Sequence, residues 1–130
     1  MPQKYFDTTS VVVPVHNDEW CVVPMFGKIR KAMGVQREEW EVIFVNDGST
    51  DGTRSVLENL TNSEPDLKVV NLRRKFGLTQ AIKAGVDLAS GEYIVTIPGN
   101  LQNDPDDIPK LLGKLREGYD VCAGWRSTSA

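Results

Sequence analysis

The stretch EVIFVNDGSTDGT, residues 41–53, decides the fold. Its first part, Glu41 to Asn46, is a β-branched and aromatic run of strand length, as expected of a strand buried on both faces. Its second part supplies glycines for turns and Ser, Thr and Asp for capping, and a helix carrying Val56, Leu57 and Leu60 follows. A strand that ends in polar residues and turns directly into a helix is half of a βαβ unit.

The same pattern repeats on either side. SVVVPV, Ser10 to Val15, reads as a first strand, with a helix from Glu19 to Met33 ended by Gly34. LKVVNL, Leu67 to Leu72, is a third strand. A helix over Gly77 to Ala89 follows, with Leu78, Ala81, Ile82, Gly85 and Leu88 on one face and Gly91 beyond its end. Tyr93 to Ile97 is a fourth strand. Ile108, Leu111, Leu112 and Leu115 mark another helix, closed by Gly118, and YDVCAGW is a fifth strand. This order implies an α/β fold, a mostly parallel sheet with helices on both faces and right-handed crossovers. The 130 residues form one expected domain, spanning 1–130.

Composition narrows the function. Apolar residues make up 40% and charged residues 25% of the chain, the balance of a soluble globular protein. A net charge of -3 and a pI near 5.1 give no general electrostatic attraction for nucleic acid or an anionic membrane. Cys21 and Cys122 have no metal-ligand spacing and read as two reduced thiols. No apolar run reaches membrane-span length and no signal peptide is visible, so a cytoplasmic location is expected.

Ligands of open parallel sheets bind at the carboxyl ends of the strands. Here those ends are VHNDE, NDGSTDGT, RRKFG, PGNLQND and WRS. Asp47 at the second tip is suited to accept hydrogen bonds from a sugar hydroxyl or a base, and the backbone amides beyond it favour polar or anionic groups. Taken alone, the same residues make an ordinary helix cap. Arg73, Arg74 and Lys75 are either phosphate ligands or a solvated loop. His16 is the single histidine, so no Ser-His-Asp or Cys-His set assembles around it. Neither GxGxxG nor GxxxxGK[ST] is present, which removes a dinucleotide fingerprint and a P-loop. A phosphoacceptor signalling domain would share the architecture, but Asn71 and Trp125-Arg126 stand where it wants Asp and Lys.

Together, VVVPVHNDE, EVIFVNDGSTDGT, LRRKFGLTQAIKAGVDLASGEYIVTI, LQNDPDDIPKLLGKLREGYDV and GWR resemble the N-terminal part of a family 2 glycosyltransferase of GT-A fold, nearest to the dolichyl- and polyprenyl-phosphate sugar transferases. The resemblance covers Ser10 to Arg126. It implies an inverting transfer of sugar from a UDP- or GDP-sugar to a polyprenyl-phosphate or glycan acceptor, with Mg²⁺ or Mn²⁺. By resemblance, Pro14, His16 and Asp18 fall in the loop that holds the base, with His16 where the family usually has Tyr. Asn46 stands at an acid that contacts base or ribose, and Asp47 keeps the next acid. Arg73 and Gly77 match a pattern near the nucleotide-sugar, although the usual Asn between them is replaced. Gln102 follows the metal motif and Arg126 stands near the diphosphate.

The metal motif itself departs from the family. The fourth strand should end in an acid-x-acid triplet before Leu-Gln; here Pro98-Gly99-Asn100 precedes Leu101-Gln102. Hard divalent cations want anionic oxygen ligands, so metal binding of the usual kind is in doubt. The oxygen donors that remain are Asn100, Gln102 and Asp104, with Asp106 and Asp107 behind them. Three readings stay open: these acids bind the metal, Arg73, Lys75 and Arg126 balance the diphosphate without one, or the domain is a catalytically inactive nucleotide-binding or assembly module. The family's general base and its membrane contacts are expected outside this chain, which reads as truncated after Arg126 to Ala130; in the full-length protein the domain would work at the cytoplasmic face of a membrane.

Overall fold

The computed structural model describes residues 8–34, 40–65 and 67–100. Within them the order is β1 (Thr9–Val15), α1 (Val22–Met33), β2 (Trp40–Asn46), α2 (Thr53–Thr61), β3 (Leu67–Asn71), α3 (Leu78–Leu88) and β4 (Tyr93–Thr96). The strands form one parallel sheet in the order β3-β2-β1-β4. The expected helix after residue 107 and the fifth strand lie outside the described residues.

Burial explains why β1 is an uninterrupted apolar run. It lies between β2 and β4, and all seven of its residues are buried. Val11, Val13 and Val15 join Val42 and Phe44 under Val22, Met25, Phe26, Ile29 and Met33 of α1 and Leu57 of α2. Val12, Ile43 and Val45 point to the opposite face and meet Ala81 of α3. Each such aliphatic side chain contributes about 1.5–3 kcal/mol by leaving water. Helices therefore cover both faces, as the alternation predicts.

Two details differ from the sequence reading. Helix α1 begins at Val22, not Glu19, because residues 16–21 form a polar loop whose groups bond to the β2–α2 turn. In α3 only Ala81 and Gly85 are buried, while Leu78 and Leu88, its first and last residues, are exposed. A Cβ at Gly85 would lie 2.4 Å from Val12 Cγ1. The helix thus packs on its smallest residues, and the sheet is too close to admit a leucine face.

At the amino edge of the sheet, Glu41 ties four segments together. It accepts from Ser10 Oγ at 2.6 Å, Ser90 N at 2.8 Å and Ser90 Oγ at 3.0 Å, and pairs with Lys68 at 2.7 Å. Burial alone would push its carboxyl up, but Lys68 and the serine donors outweigh that and hold it at about 2. With the folded value depressed below the ordinary 4.5, this contribution is complete above the unfolded value and is lost as pH falls through the folded one. Thermal unfolding of the wild type between pH 5 and pH 2 should show a steeper decline than that of Glu41→Gln. Parallel curves would show that Glu41 does not supply this stability.

Candidate functional site

The tips of β1, β2 and β3 are level, because Val15 is in register with Asn46 and Asn46 with Asn71. Three loops therefore leave the sheet side by side. Strand order reverses between β1 and β4, which places a crevice outside their carboxyl ends.

The first two loops are clasped together. Asn17 has a positive φ of 53°, rare outside glycine and best tolerated by Asn and Asp. In that conformation its Oδ1 accepts from Thr50 N at 2.7 Å, Asp51 N at 3.2 Å and Thr50 Oγ1 at 3.3 Å, while Ser49 Oγ accepts from its N–H. His16 donates from Nδ1 to the Asp47 carbonyl at 2.7 Å. A carbonyl only accepts, so the proton sits on Nδ1, and Nε2 is the acceptor that Asn17 Nδ2 faces at 3.4 Å. Asp18 Oδ2 accepts from His16 N, and Asp18 N donates to Thr53 Oγ1.

The start of α2 is not an open anion site. Asp51 Oδ1 accepts from Thr53 N at 2.9 Å, and Glu19 Oε1 accepts from Gly52 N at 2.9 Å. Slight burial pushes the Asp51 carboxyl up, but the Thr53 hydroxyl and N–H and the Glu19 N–H hold it below its usual range. The Gly52 and Thr53 amides at this start are thus already taken by two side chains of the protein.

Asp47 organises the third loop. It is 4% exposed, with Oδ1 accepting from Phe76 N at 2.8 Å and Oδ2 from Gly77 N at 3.1 Å. Beside it, Gly48 at φ +65° lies against the backbone of Arg74 and Lys75. The basic loop is therefore folded back over the tip of β2. Asn46 is equally engaged: its Nδ2 donates to Asn71 Oδ1 at 2.9 Å, and its Oδ1 accepts from Ser49 N.

Of the residues picked out by sequence, Pro14, His16, Asp18, Asn46, Asp47 and Gly77 are thus brought to one edge by hydrogen bonds or strand register. Arg73 is exposed on the same edge, and Gln102, Asp104 and Arg126 lie outside the described residues. Asn17 and Glu19 are the positioning residues that sequence reasoning left without a role, whereas Gly48 and Asp51 were read only as a turn glycine and a cap. An Asn in the loop just after a strand was the available signal for the first. Asn17→Ala loses the acceptor and meets the positive φ, whereas Asn17→Gly loses the acceptor alone. Urea unfolding should show the alanine variant about 1–2 kcal/mol less stable than the glycine variant; equal stability would mean the loop relaxes freely.

A family model described as glycosyl transferase family 2 matches residues 10–129. The chain belongs to that family. Among curated relatives of this glycosyltransferase sequence, a dodecaprenyl-phosphate galacturonate synthase of Rhizobium johnstonii is 43% identical over 119 residues, 90% of this chain and 35% of the relative. An undecaprenyl-phosphate 4-deoxy-4-formamido-L-arabinose transferase of Proteus mirabilis is 37% identical over 86% of this chain and 35% of its own length. The chain thus spans about a third of these relatives. A mannosyltransferase from Pyrobaculum calidifontis, solved with GDP-Man and Mn²⁺, superposes with a TM-score of 0.66 at 26% identity, covering 76% of this chain and 29% of that one. S. aureus TarS with UDP-GlcNAc gives 0.68 at 22% identity, over 85% and 31%, a likeness of fold. The architecture is that of GT-A glycosyltransferases.

The loop where the family's metal motif belongs does not fit a divalent cation in the usual way. Gly99 N donates to Pro14 O at 3.1 Å, so this loop runs beside the end of β1. A Cβ at Gly99 would lie 2.3 Å from Val15 Cγ1, whereas Pro98 is half-buried and Asn100 exposed. Neither position 98 nor position 100 carries a carboxylate. Among the described residues no group of three His, Cys, Asp or Glu is placed to hold a metal.

Proposed function

We propose that this glycosyltransferase domain binds a UDP- or GDP-sugar in the crevice at the carboxyl edge and serves inverting transfer to a polyprenyl-phosphate acceptor. The observation that carries this is the preformed clasp of the β1, β2 and β3 loops around His16, Asn17 and Asp47. Rigid loops lower the ordering cost of binding. The names of the polyprenyl-phosphate relatives and the GDP-Man bound by a structural neighbour support the substrate classes.

The roles are carried over from the family resemblance. Pro14, His16, Asp18 and Asn46 fall on the base side. Each Asp47 oxygen accepts one N–H and keeps a second lone pair for base or ribose. Arg73 and Gly77 stand near the nucleotide-sugar and Arg126 matches a basic residue near the diphosphate, while Asn100 and Gln102 belong to the metal-motif segment. A phosphate monoester has a second pKa of about 6, so at pH 7 the acceptor oxygen is already anionic and its attack needs no general base. Catalysis then rests on orientation and on neutralising the departing nucleotide, which gives the cationic loop its purpose.

A second reading, a nucleotide-binding domain without transfer, is favoured by the missing carboxylates at 98 and 100. Calorimetric titration with UDP, GDP and their sugars, with and without Mn²⁺, tests the site; no binding at millimolar nucleotide would overturn it. Pro98→Asp with Asn100→Asp should make binding Mn²⁺-dependent, because the two carboxylates supply the anionic oxygens that a hard cation wants. Unchanged affinity in that variant would mean that the loop's path, as well as its charge, has diverged. Sugar transfer by the longer gene product would remove the second reading.

A further inference from the structure

We propose that this chain binds its nucleoside diphosphate without a divalent cation, with the Lys75 ammonium supplying positive charge in the ion's place. The inference rests on the site reading above and deepens it, since it concerns how the same crevice meets the charge of the donor. Positions 98 to 100 offer a cation no carboxylate. Among the described residues, no three His, Cys, Asp or Glu side chains converge elsewhere to hold one.

Charge counting shows how a site can lose both groups together. In the arrangement that the resemblance implies, two carboxylates and one divalent ion sum to zero. Removing all three leaves the net charge that a diphosphate meets unchanged, whereas removing the ion alone would leave two like charges facing it. The edge also holds Asp18, Glu19, Asp47 and Asp51, which outnumber Arg73, Arg74 and Lys75. A diphosphate therefore gains nothing from the edge as a whole and needs a cation placed beside it. The chain has added one, since a basic residue stands where the pattern usually has Asn between Arg73 and Gly77.

Backbone contacts bring Lys75 to the same row of loops. Gly99 N donates to Pro14 O at 3.1 Å and Asp47 N to Val15 O at 2.8 Å, so the 98–100 loop and the tips of β1 and β2 stand side by side. The Arg74-Lys75 peptide lies over Gly48, where an added Cβ would meet Lys75 N at 2.3 Å. With strands about 4.8 Å apart, the tips of β4 and β2 are about 10 Å apart, a gap that a four-carbon lysine stem and a diphosphate fill between them. Of the three cations, Lys75 is the one placed for this. The Arg74 guanidinium is engaged by the Phe76 ring, 4.2 Å from its centre, and Arg73 stands ahead of the pinned peptide. Lys75 is exposed and makes no ion pair among the described residues. Its backbone is fixed on both sides, by Gly48 before it and by the Asp47 carboxylate accepting from Phe76 N after it. An ammonium on so fixed a base is a point charge suited to phosphate oxygens.

Calorimetric titration of the chain with UDP and GDP, once in EDTA and once in Mn²⁺, tests the inference. The wild type should bind equally well in both. Lys75→Asn should weaken binding in EDTA about tenfold, the loss expected of one charge-assisted hydrogen bond. Lys75→Arg should retain most of the affinity, and added salt should weaken the wild type more than Lys75→Asn. A lysine with a merely structural role would not move the salt dependence. Wild-type binding that requires Mn²⁺, or Lys75→Asn binding as tightly as wild type in EDTA, overturns the inference and leaves the nucleotide site standing. Absence of binding in either buffer at millimolar nucleotide would instead sink the site reading itself, and this inference with it.

Discussion

Asp47→Ala is expected to destabilise the domain by about 2–4 kcal/mol, because two charge-assisted hydrogen bonds are lost at once. The amides of Phe76 and Gly77 would keep their places beside a methyl group that accepts nothing. Asp47→Asn should lose less: its single amide oxygen can satisfy one of the two N–H groups, and its NH₂ is turned toward the other. Urea unfolding of the three proteins gives the order, and an alanine variant within about 0.5 kcal/mol of wild type would show that other contacts hold the loop. Nucleotide affinity should fall by at least tenfold in the alanine variant, beyond any loss of folded protein, because the basic loop is released from the tip of β2.

Gly48→Ala should be comparably damaging for a different reason. The backbone there has φ +65°, and an added Cβ would sit 2.3 Å from both Arg74 C and Lys75 N. The left-handed conformation costs about 1–2 kcal/mol for an L-residue, and forcing two backbone segments apart adds about 1–3 kcal/mol. Gly77→Ala is the control. Its φ is +102°, yet a Cβ there meets no atom within 4 Å, so it carries conformational strain alone. Both variants should unfold earlier than wild type. Circular dichroism with denaturant separates them: Gly48→Ala should lose more stability, because only there does the added Cβ meet the Arg74-Lys75 backbone. Equal losses would mean that the close approach at Gly48 relaxes freely.

These two positions also show why the site was only half legible beforehand. A reader of residues 41–53 sees an acid at a strand tip and a glycine in a turn, and both assignments stand. What the acid touches is 29 and 30 residues away, and what the glycine admits is the same distant loop. Asn17 is similar, since its three donors lie 33 or 34 residues on. Local pattern reports the conformation a residue prefers, but not which segment the parallel sheet will bring beside it. The helix faces follow the same division. Periodicity placed Leu78 and Leu88 on the face of α3 that meets the sheet, and the closeness of Gly85 to Val12 left them outside.

The amino-acid sequence by itself determined the alternation of strand and helix, the parallel sheet, the carboxyl-edge location of the loops and the absence of an acid from positions 98 to 100. Those properties are local: they follow from side-chain periodicity, turn chemistry and the identity of single residues. Only the tertiary structure decided that Asp51 and Glu19 occupy the Gly52 and Thr53 amides at the start of α2, that Asp47 grips the basic loop, and that Asn17 clasps the turn after β2. Each depends on strands standing level at Val15, Asn46 and Asn71, a register set by packing of the whole sheet.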